Sequence, residues 1–326
     1  MNILVLGGTV FVGRHIVEKA VSLGHNVSVF HRGQSGSDLP GVEHILGDRD
    51  GGLEVLGDRK WDWVIDTCGY VPRIVRQSCQ ALKDRTDRYL FISTISVYAS
   101  FSEPGADERS PLAELKDPTV EKIDGETYGG LKVLCEKEVH EAFGDRGLIV
   151  RPGMIVGPYD RTDRFTYWFL RASKGGKMIS LEERDERVQF IDGRDLAHFC
   201  LHLLDRGNVG IYNATGPHYH MTWGDIYDEA ALYGETQYEI IRPSLDWLKQ
   251  HEVEALPAQF SSETSSTGVY EVNVQKAIDA GLAFIPLAKT VADTIQWRSK
   301  VDEPLKVGLT QEKEAELLQA YSKAEF

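Results

Sequence analysis

The chain has 326 residues, 42% hydrophobic and 26% charged, a composition that supports one large globular core or two closely packed ones. A formal charge of −14 argues against broad contact with a phosphate backbone, so no nucleic-acid partner is expected, although small anionic ligands stay open. No apolar run reaches the roughly 18–20 residues of a bilayer span, MNILVLGG lacks the marks of a signal peptide, and Cys68, Cys79, Cys135 and Cys200 read as scattered reduced thiols; no membrane partner and a cytoplasmic location are expected.

Short apolar runs alternate with helical spacing through the first half of the chain. Asn2–Leu6 reads as a buried strand bounded by Gly7-Gly8, and Arg14–Leu23 as a helix stopped at Gly24. Strands follow at Asn26–Phe30, His44–Leu46 and Trp63–Asp66, then a helix at Ile74–Leu82 and a strand at Tyr89–Ser93. A polar loop, a long helix over Tyr128–Phe143 and a strand at Leu148–Val150 complete the series. This alternation predicts an α/β fold, a doubly wound parallel sheet over residues 1–150, with ligands bound beyond the carboxyl ends of the strands. Residues 151–326 lose the alternation, carry long loops (Pro158–Phe165, Ser180–Arg187, Gly216–Trp223) and read mainly as a smaller substrate-binding lobe, with some segments returning to the sheet. Thr310–Tyr321 is a final helix with Thr310 as its N-cap.

Strand Asn2–Leu6 enters Gly7-Gly8-Thr9-Val10-Phe11-Val12-Gly13 and then a helix, an arrangement that aims backbone N–H groups at a pyrophosphate. Gly7, Gly8, Thr9, Phe11, Val12 and Gly13 are therefore assigned to dinucleotide binding. The second strand ends Phe30-His31-Arg32-Gly33, without the acid that would accept both ribose hydroxyls; Arg32 favours a 2′-phosphate, hence NADP(H), with NAD(H) as the alternative. Asp48, with Arg49 beside it, is placed near the adenine.

Tyr128 and Lys132 stand one helical turn apart on one face, so the ammonium can favour the phenolate of a tyrosine that otherwise titrates near 10. Upstream, Ser93-Thr94-Ile95-Ser96-Val97-Tyr98 ends a strand in hydroxyls, and Thr94 or Ser93 can hydrogen-bond the reacting oxygen. His198 and His202 lack a neighbouring Glu in an HExxH pattern, so no metal site is expected; His218 and His220 lie in a loop that can cover a substrate. Phe165–Phe169 reads as core packing and Glu182–Glu186 as a solvated loop.

With these three features in this order, the chain resembles the extended short-chain dehydrogenase/reductases, nearest to the NAD-dependent epimerase/dehydratase and reductase-like members. Arg151-Pro152-Gly153, Phe190–Ala197 and Tyr212–Gly216 extend the resemblance to roughly residues 1–300. It implies a Rossmann-type fold, a catalytic triad of Thr94, Tyr128 and Lys132, Lys132 on the nicotinamide ribose, Thr67, Cys68 and Pro152 along the cofactor, and a homodimer. Ser93, Tyr70, Tyr98 and Arg187 are the substrate-side candidates. Val10 replaces the family's middle glycine, Ile95-Ser96 replace the Asp-Glu of the 4,6-dehydratases, and Met154 stands where nucleotide-sugar epimerases commonly carry Asn. The activity expected is NADP(H)-dependent hydride transfer on a small carbonyl or alcohol substrate with Tyr128 as acid/base. The alternatives are an epimerase working through a keto intermediate with tightly bound NAD(P), a non-catalytic NADP(H) sensor, and an RNA-associated protein like the chloroplast stem-loop-binding relatives, whose glycine turn this one also resembles.

Overall fold

Strand β1 (Asn2–Leu6) sends Ile3 and Val5 into one apolar cluster and Leu4 and Leu6 into another, the two-sided burial that an unbroken apolar run predicts for a central parallel strand. The computed structural model describes residues 1–34, 39–234, 237–259 and 267–324. In it β2 (Asn26–His31), β3 (Glu43–Leu46), β4 (Trp61–Asp66), β5 (Thr86–Ile92) and β6 (Gly147–Pro152) follow β1. Beyond them come β7 (Ile155–Val156), β8 (Gly176–Ile179), β9 (Ile191–Asp192), β10 (Gly210–Ala214) and β11 (Tyr238–Ile241). Seven strands form one parallel sheet in the order β10-β6-β5-β4-β1-β2-β3, so the direction of winding reverses between β1 and β4. A ligand crevice belongs at that reversal, outside the carboxyl ends of the strands.

The helices are α1 (Phe11–Ser22), α2 (Pro72–Leu82), α3 (Tyr128–Phe143), α4 (Thr166–Ser173), α5 (Gly193–Asp205), α6 (Trp223–Ala231), α7 (Leu245–Gln250), α8 (Gln275–Asp279), α9 (Leu287–Arg298) and α10 (Gln311–Ala324). Helices α1 and α5 cover the sheet face of Ile3, Val5 and Val29, where Ile16, Val17, Leu196 and Phe199 are buried. Helices α2 and α3 cover the opposite face through Val75, Leu82, Cys135, Val139 and Phe143. Thus β10 and α5, from beyond residue 150, complete the sheet and one of its layers. A separate aromatic core holds α4 and α6 together: Phe165, Trp168, Phe169, Trp223 and Tyr227 are buried, and the Phe165 and Trp223 rings stack with centroids 5.3 Å apart. The aromatic run Phe165–Phe169 is core, as its spacing suggests.

Elements start a few residues earlier than periodicity alone indicates. Helix α2 begins at Pro72, whose missing N–H costs nothing in a first turn, and β5 begins at Thr86, which pairs with Trp61 although it is polar. The Thr310 Oγ1 accepts from Lys313 N at 3.1 Å and caps α10. Among the described residues no helix is long and apolar enough to cross a membrane.

Candidate active site

The crevice at the β1/β4 reversal is shaped by glycines. Gly7 has φ +100°, and a Cβ there would lie 2.7 Å from Thr67 Oγ1; a Cβ on Gly13 would lie 2.8 Å from the Gly8 Cα. Only glycine permits both the turn and the close approach of α1 to β1. Val10, in place of the family's middle glycine, has an ordinary extended backbone (φ −132°, ψ 140°), so the conformation of this position does not itself require glycine. Val10 is also the N-cap of α1 and supplies no side-chain cap, leaving the first-turn N–H groups of Phe11, Val12 and Gly13 to a ligand. An anion such as a dinucleotide pyrophosphate fits such a helix start. Phe11 itself sits in the left-handed region at φ 39°, a strain localised at this turn. Thr67, at the end of β4, donates its hydroxyl to the Leu6 carbonyl at 2.9 Å and braces the floor, with Cys68 against Gly7.

Past the ends of β5 and β6 the catalytic candidates come together. Thr94 has an extended backbone and closes a short helical turn, its Oγ1 accepting from Ser96 N at 3.1 Å. The same hydroxyl donates to Ser96 Oγ at 3.2 Å, and its dipole favours the Tyr128 phenolate. Burial pushes Tyr128 above its ordinary value, against the opposing pull of the Thr94 hydroxyl and the positive charge of Arg164; the phenol is therefore protonated at neutral pH. Lys132, one turn along α3, is 2% exposed and donates to the carbonyls of Gly69 and Ile92, each at 2.7 Å. Its amine lies over the Phe91 ring at 4.0 Å and the Tyr70 ring at 5.4 Å. Desolvation brings its pKa down to about 8, so it remains mostly protonated at neutrality. Tyr70 is 44% exposed, yet desolvation of its phenol pushes it up to about 12.

At the end of β2, Arg32 is exposed, and the turn behind it is set by His31, whose Nδ1 accepts from Gly33 N at 3.1 Å and whose Nε2 meets His44 Nδ1 at 2.8 Å. Asp48 is exposed and accepts from Asp50 N at 3.0 Å, capping its own turn. Arg49 is turned inward: it pairs with the fully buried Asp66 at 2.7 Å, and also donates to Cys68 Sγ and Ser78 Oγ. Asp66 further accepts from the Tyr89 hydroxyl at 2.8 Å. Arg49 thus holds the wall of the crevice rather than facing a ligand. Pro152 ends β6, and its neighbour Gly153 sits against Thr215.

Two of the four substrate-side candidates, Ser93 and Tyr98, have their polar atoms engaged elsewhere, and Arg187 is engaged in part, its buried Nε having no hydrogen-bond partner among the described residues. Ser93 Oγ donates to Glu136 at 2.5 Å, and Glu136 forms a two-pronged pair with Arg151, the two side chains 6% and 1% exposed. Tyr98 donates to Asn213 Oδ1 at 2.6 Å and receives Arg151 Nη1 at 3.3 Å. This buried network joins α3 to β6 and β10 and supports the active-site floor. Arg187 is paired with Glu271 at 3.2 Å. The Tyr70 ring lies 5.4 Å from the Lys132 amine.

Asp66 and Glu136 are structurally important and were not singled out from the sequence. A signal existed for each: Asp66 ends an otherwise apolar strand, and Glu136 lies four residues after Lys132 on the same buried helix face. Among the described residues no group of three or more His, Cys, Asp or Glu side chains converges on a point; His198 and His202 have ring centroids 6.4 Å apart on α5.

Among solved structures, the Bordetella bronchiseptica enzyme WbmH in complex with NAD+ is 18% identical, with a TM-score of 0.67 over 93% of this chain and 99% of that one. UDP-glucuronic acid 4-epimerase from Bacillus cereus in complex with NAD is 16% identical, with a TM-score of 0.67 over 93% of this chain and all of the other. At such identities the likeness speaks for the fold. A chloroplast stem-loop binding protein of 41 kDa from Arabidopsis thaliana is 26% identical over 67% of this chain, which spans 59% of that relative's length. The model of the NAD dependent epimerase/dehydratase family matches residues 3–215, a stretch that contains the glycine turn, Thr94, Tyr128, Lys132 and Arg151: the chain belongs to that family.

Proposed function

We propose that this enzyme transfers hydride between a nicotinamide dinucleotide and a carbon bearing the hydroxyl or carbonyl of a small substrate, with Tyr128 as acid and base. The observation that carries the reading is the placement of Tyr128 and the buried Lys132 one turn apart on α3, with Lys132 donating at 2.7 Å to the Ile92 carbonyl at the end of β5, two residues before Thr94. Gly7, Gly8, Thr9, Phe11, Val12 and Gly13 hold the pyrophosphate, with Thr67, Cys68 and Pro152 along the cofactor and Asp48 towards the adenine. When bound, the dinucleotide supplies the hydride acceptor or donor. Thr94 orients the reacting oxygen. Tyr128, protonated at neutral pH, gives its proton to a carbonyl oxygen in the reductive direction and recovers it in the oxidative one. Lys132 uses two of its three N–H groups on backbone carbonyls, and the third is available to the nicotinamide ribose.

The absence of an acid at the end of β2 and the exposed Arg32 support NADP(H) as the preferred cofactor. An epimerase that retains NAD and returns the hydride to the opposite face of a keto intermediate is the second reading, favoured by the NAD-bound solved structures of the same fold. An RNA-binding role like the one named for the chloroplast relative is disfavoured by the charge of −14. Calorimetric titration of cofactor-stripped protein with NADP+, NADPH, NAD+ and NADH, repeated on Arg32→Ala, tests the cofactor. Selective loss of NADP(H) affinity in the variant is expected; an indifferent Arg32 or tighter NAD(H) binding moves the retained-NAD epimerase forward. Tyr128→Phe is expected to keep dinucleotide affinity and to lower turnover by about 10²–10⁴-fold. Unchanged turnover in that variant would remove Tyr128 from the chemistry.

A further inference from the structure

A cavity of about 350 Å³ opens beside the phosphate turn, and its two sides come from distant parts of the chain. Thr9, Val10 and Phe11 of the turn line one side. The other is built from beyond residue 150: Tyr159, Arg161 and Asp163 in the loop after β7, with Arg298 and Lys306 at and beyond the end of α9. Five described non-glycine residues have a left-handed backbone, and three of them line this one cavity: Phe11 (φ 39°), Tyr159 (φ 71°) and Asp163 (φ 56°). Such conformations persist only where surrounding contacts impose them, and they gather at ligand clamps.

The contacts are specific. The buried His15 of α1 meets the Pro158 carbonyl through Nε2 at 2.9 Å. The Arg14 guanidinium lies over the Tyr159 ring at 4.0 Å, and that ring also meets His15 and Trp297, with centroids 5.3 and 5.9 Å away. Asp163, 3% exposed, accepts from Arg298 Nε and from Lys306 N, each at 3.1 Å. The loop is thereby fastened to α1 at one end and to the end of α9 at the other, which holds the wall across from the turn. Its charges do not cancel. Asp163 is matched by Arg298, Arg14 pairs with Glu18 at 2.7 Å, and Asp160 is buried and accepts from the Thr162 N–H and hydroxyl at 2.8 and 2.7 Å. Arg161 and Lys306 are exposed, and no carboxylate of the described residues forms an ion pair with either; Glu303 is the remaining acid of the lining. Two unmatched cations against one acid thus stand beside a helix start without a side-chain cap, in a chain of net charge −14.

We propose that this cavity is a diphosphate subsite, in which Arg161 and Lys306 reach from the far wall to the outward oxygens of the dinucleotide pyrophosphate that the glycine turn holds from the other side. This deepens the hydride-transfer reading and rests on it for the identity of the ligand. A diphosphate suits the site because two separate cations can each take a different phosphate, and a guanidinium fork can take two oxygens at once. Arg32, at the end of β2, serves only the cofactor that carries a 2′-phosphate, whereas this pair serves the group that NAD and NADP share.

The test is binding, independent of turnover. NAD+, NADP+ and inorganic pyrophosphate are titrated calorimetrically into cofactor-stripped wild type, Arg161→Gln, Lys306→Gln and the double variant. The double variant is expected to lose at least about tenfold in affinity for NAD+ and for NADP+ alike, a difference of about 1.4 kcal/mol, with each single variant in between. Inorganic pyrophosphate is expected to bind wild type, to weaken by a similar factor in the double variant, and to be displaced by ADP-ribose. Because both side chains are exposed, the variants keep the wild-type melting temperature, and Arg161→Lys keeps most of the affinity. Unchanged dinucleotide affinity in the double variant overturns the subsite and leaves the hydride-transfer reading standing. Pyrophosphate binding that needs Arg161 and Lys306 but resists ADP-ribose also overturns the proposal, because the anion then sits apart from the cofactor. A wild type that binds pyrophosphate through these two residues and no dinucleotide would sink the hydride-transfer reading and leave the diphosphate subsite.

Discussion

Lys132 carries a charge into a buried site where, among the described residues, no carboxylate forms an ion pair with it, and this sets a measurable pH dependence on folding. Its pKa is brought from 10.5 to about 8 by desolvation, so the folded chain disfavours the ammonium relative to the unfolded chain by roughly 3 kcal/mol. The side chain is 2% exposed, so solvent screening takes little from that figure. The folded value lies below the unfolded one. Stability is therefore lowest when both states are protonated, and it rises as pH climbs from the folded value of about 8 towards the unfolded value of 10.5, where only the unfolded chain still binds the proton. Lys132→Met removes this term. It also strands the carbonyls of Gly69 and Ile92, but that loss does not depend on pH and cancels when one protein is compared across pH. Urea unfolding of both proteins at about pH 7 and about pH 9.5 should show wild type gaining about 2 kcal/mol relative to Lys132→Met over that interval. A difference that stays constant within about half a kcal/mol would mean that the amine titrates as in water, and the desolvated site described here would be wrong.

Two further outcomes follow from the packing. Gly13→Val places side-chain atoms where even a Cβ would be 2.8 Å from the Gly8 Cα; dinucleotide affinity should drop beyond detection and the melting temperature should fall, whereas full affinity would show that this turn does not hold the cofactor. Glu136→Ala leaves Arg151 charged and 1% exposed without its partner, which should cost about 3–5 kcal/mol in urea unfolding, and Arg151→Met introduced with it should recover much of the loss. No rescue by the double variant would mean that the carboxylate matters through Ser93 rather than through the arginine.

Much of the sheet domain was legible because its signals are local. Two-sided apolar runs, glycines at a strand–helix turn and a helix-spaced Tyr–Lys pair each depend on residues a few positions apart, and the backbone leaves few ways to satisfy them. The tertiary structure decided which polar groups face the cleft. Ser93, Tyr98 and Arg187 have the right chemistry and lie near the right strand ends, but Glu136, Asn213 and Glu271 claim their polar atoms from 43, 115 and 84 positions away. Arg49 was drawn inward in the same way by Asp66. A buried polar side chain must pair with whatever the fold brings beside it, and a partner that distant leaves no periodicity to read. The sequence by itself therefore determined the scaffold, the glycine turn and the Tyr128–Lys132 spacing, while only the assembled chain settled that Arg49 turns inward to Asp66 and that Arg187 pairs with Glu271.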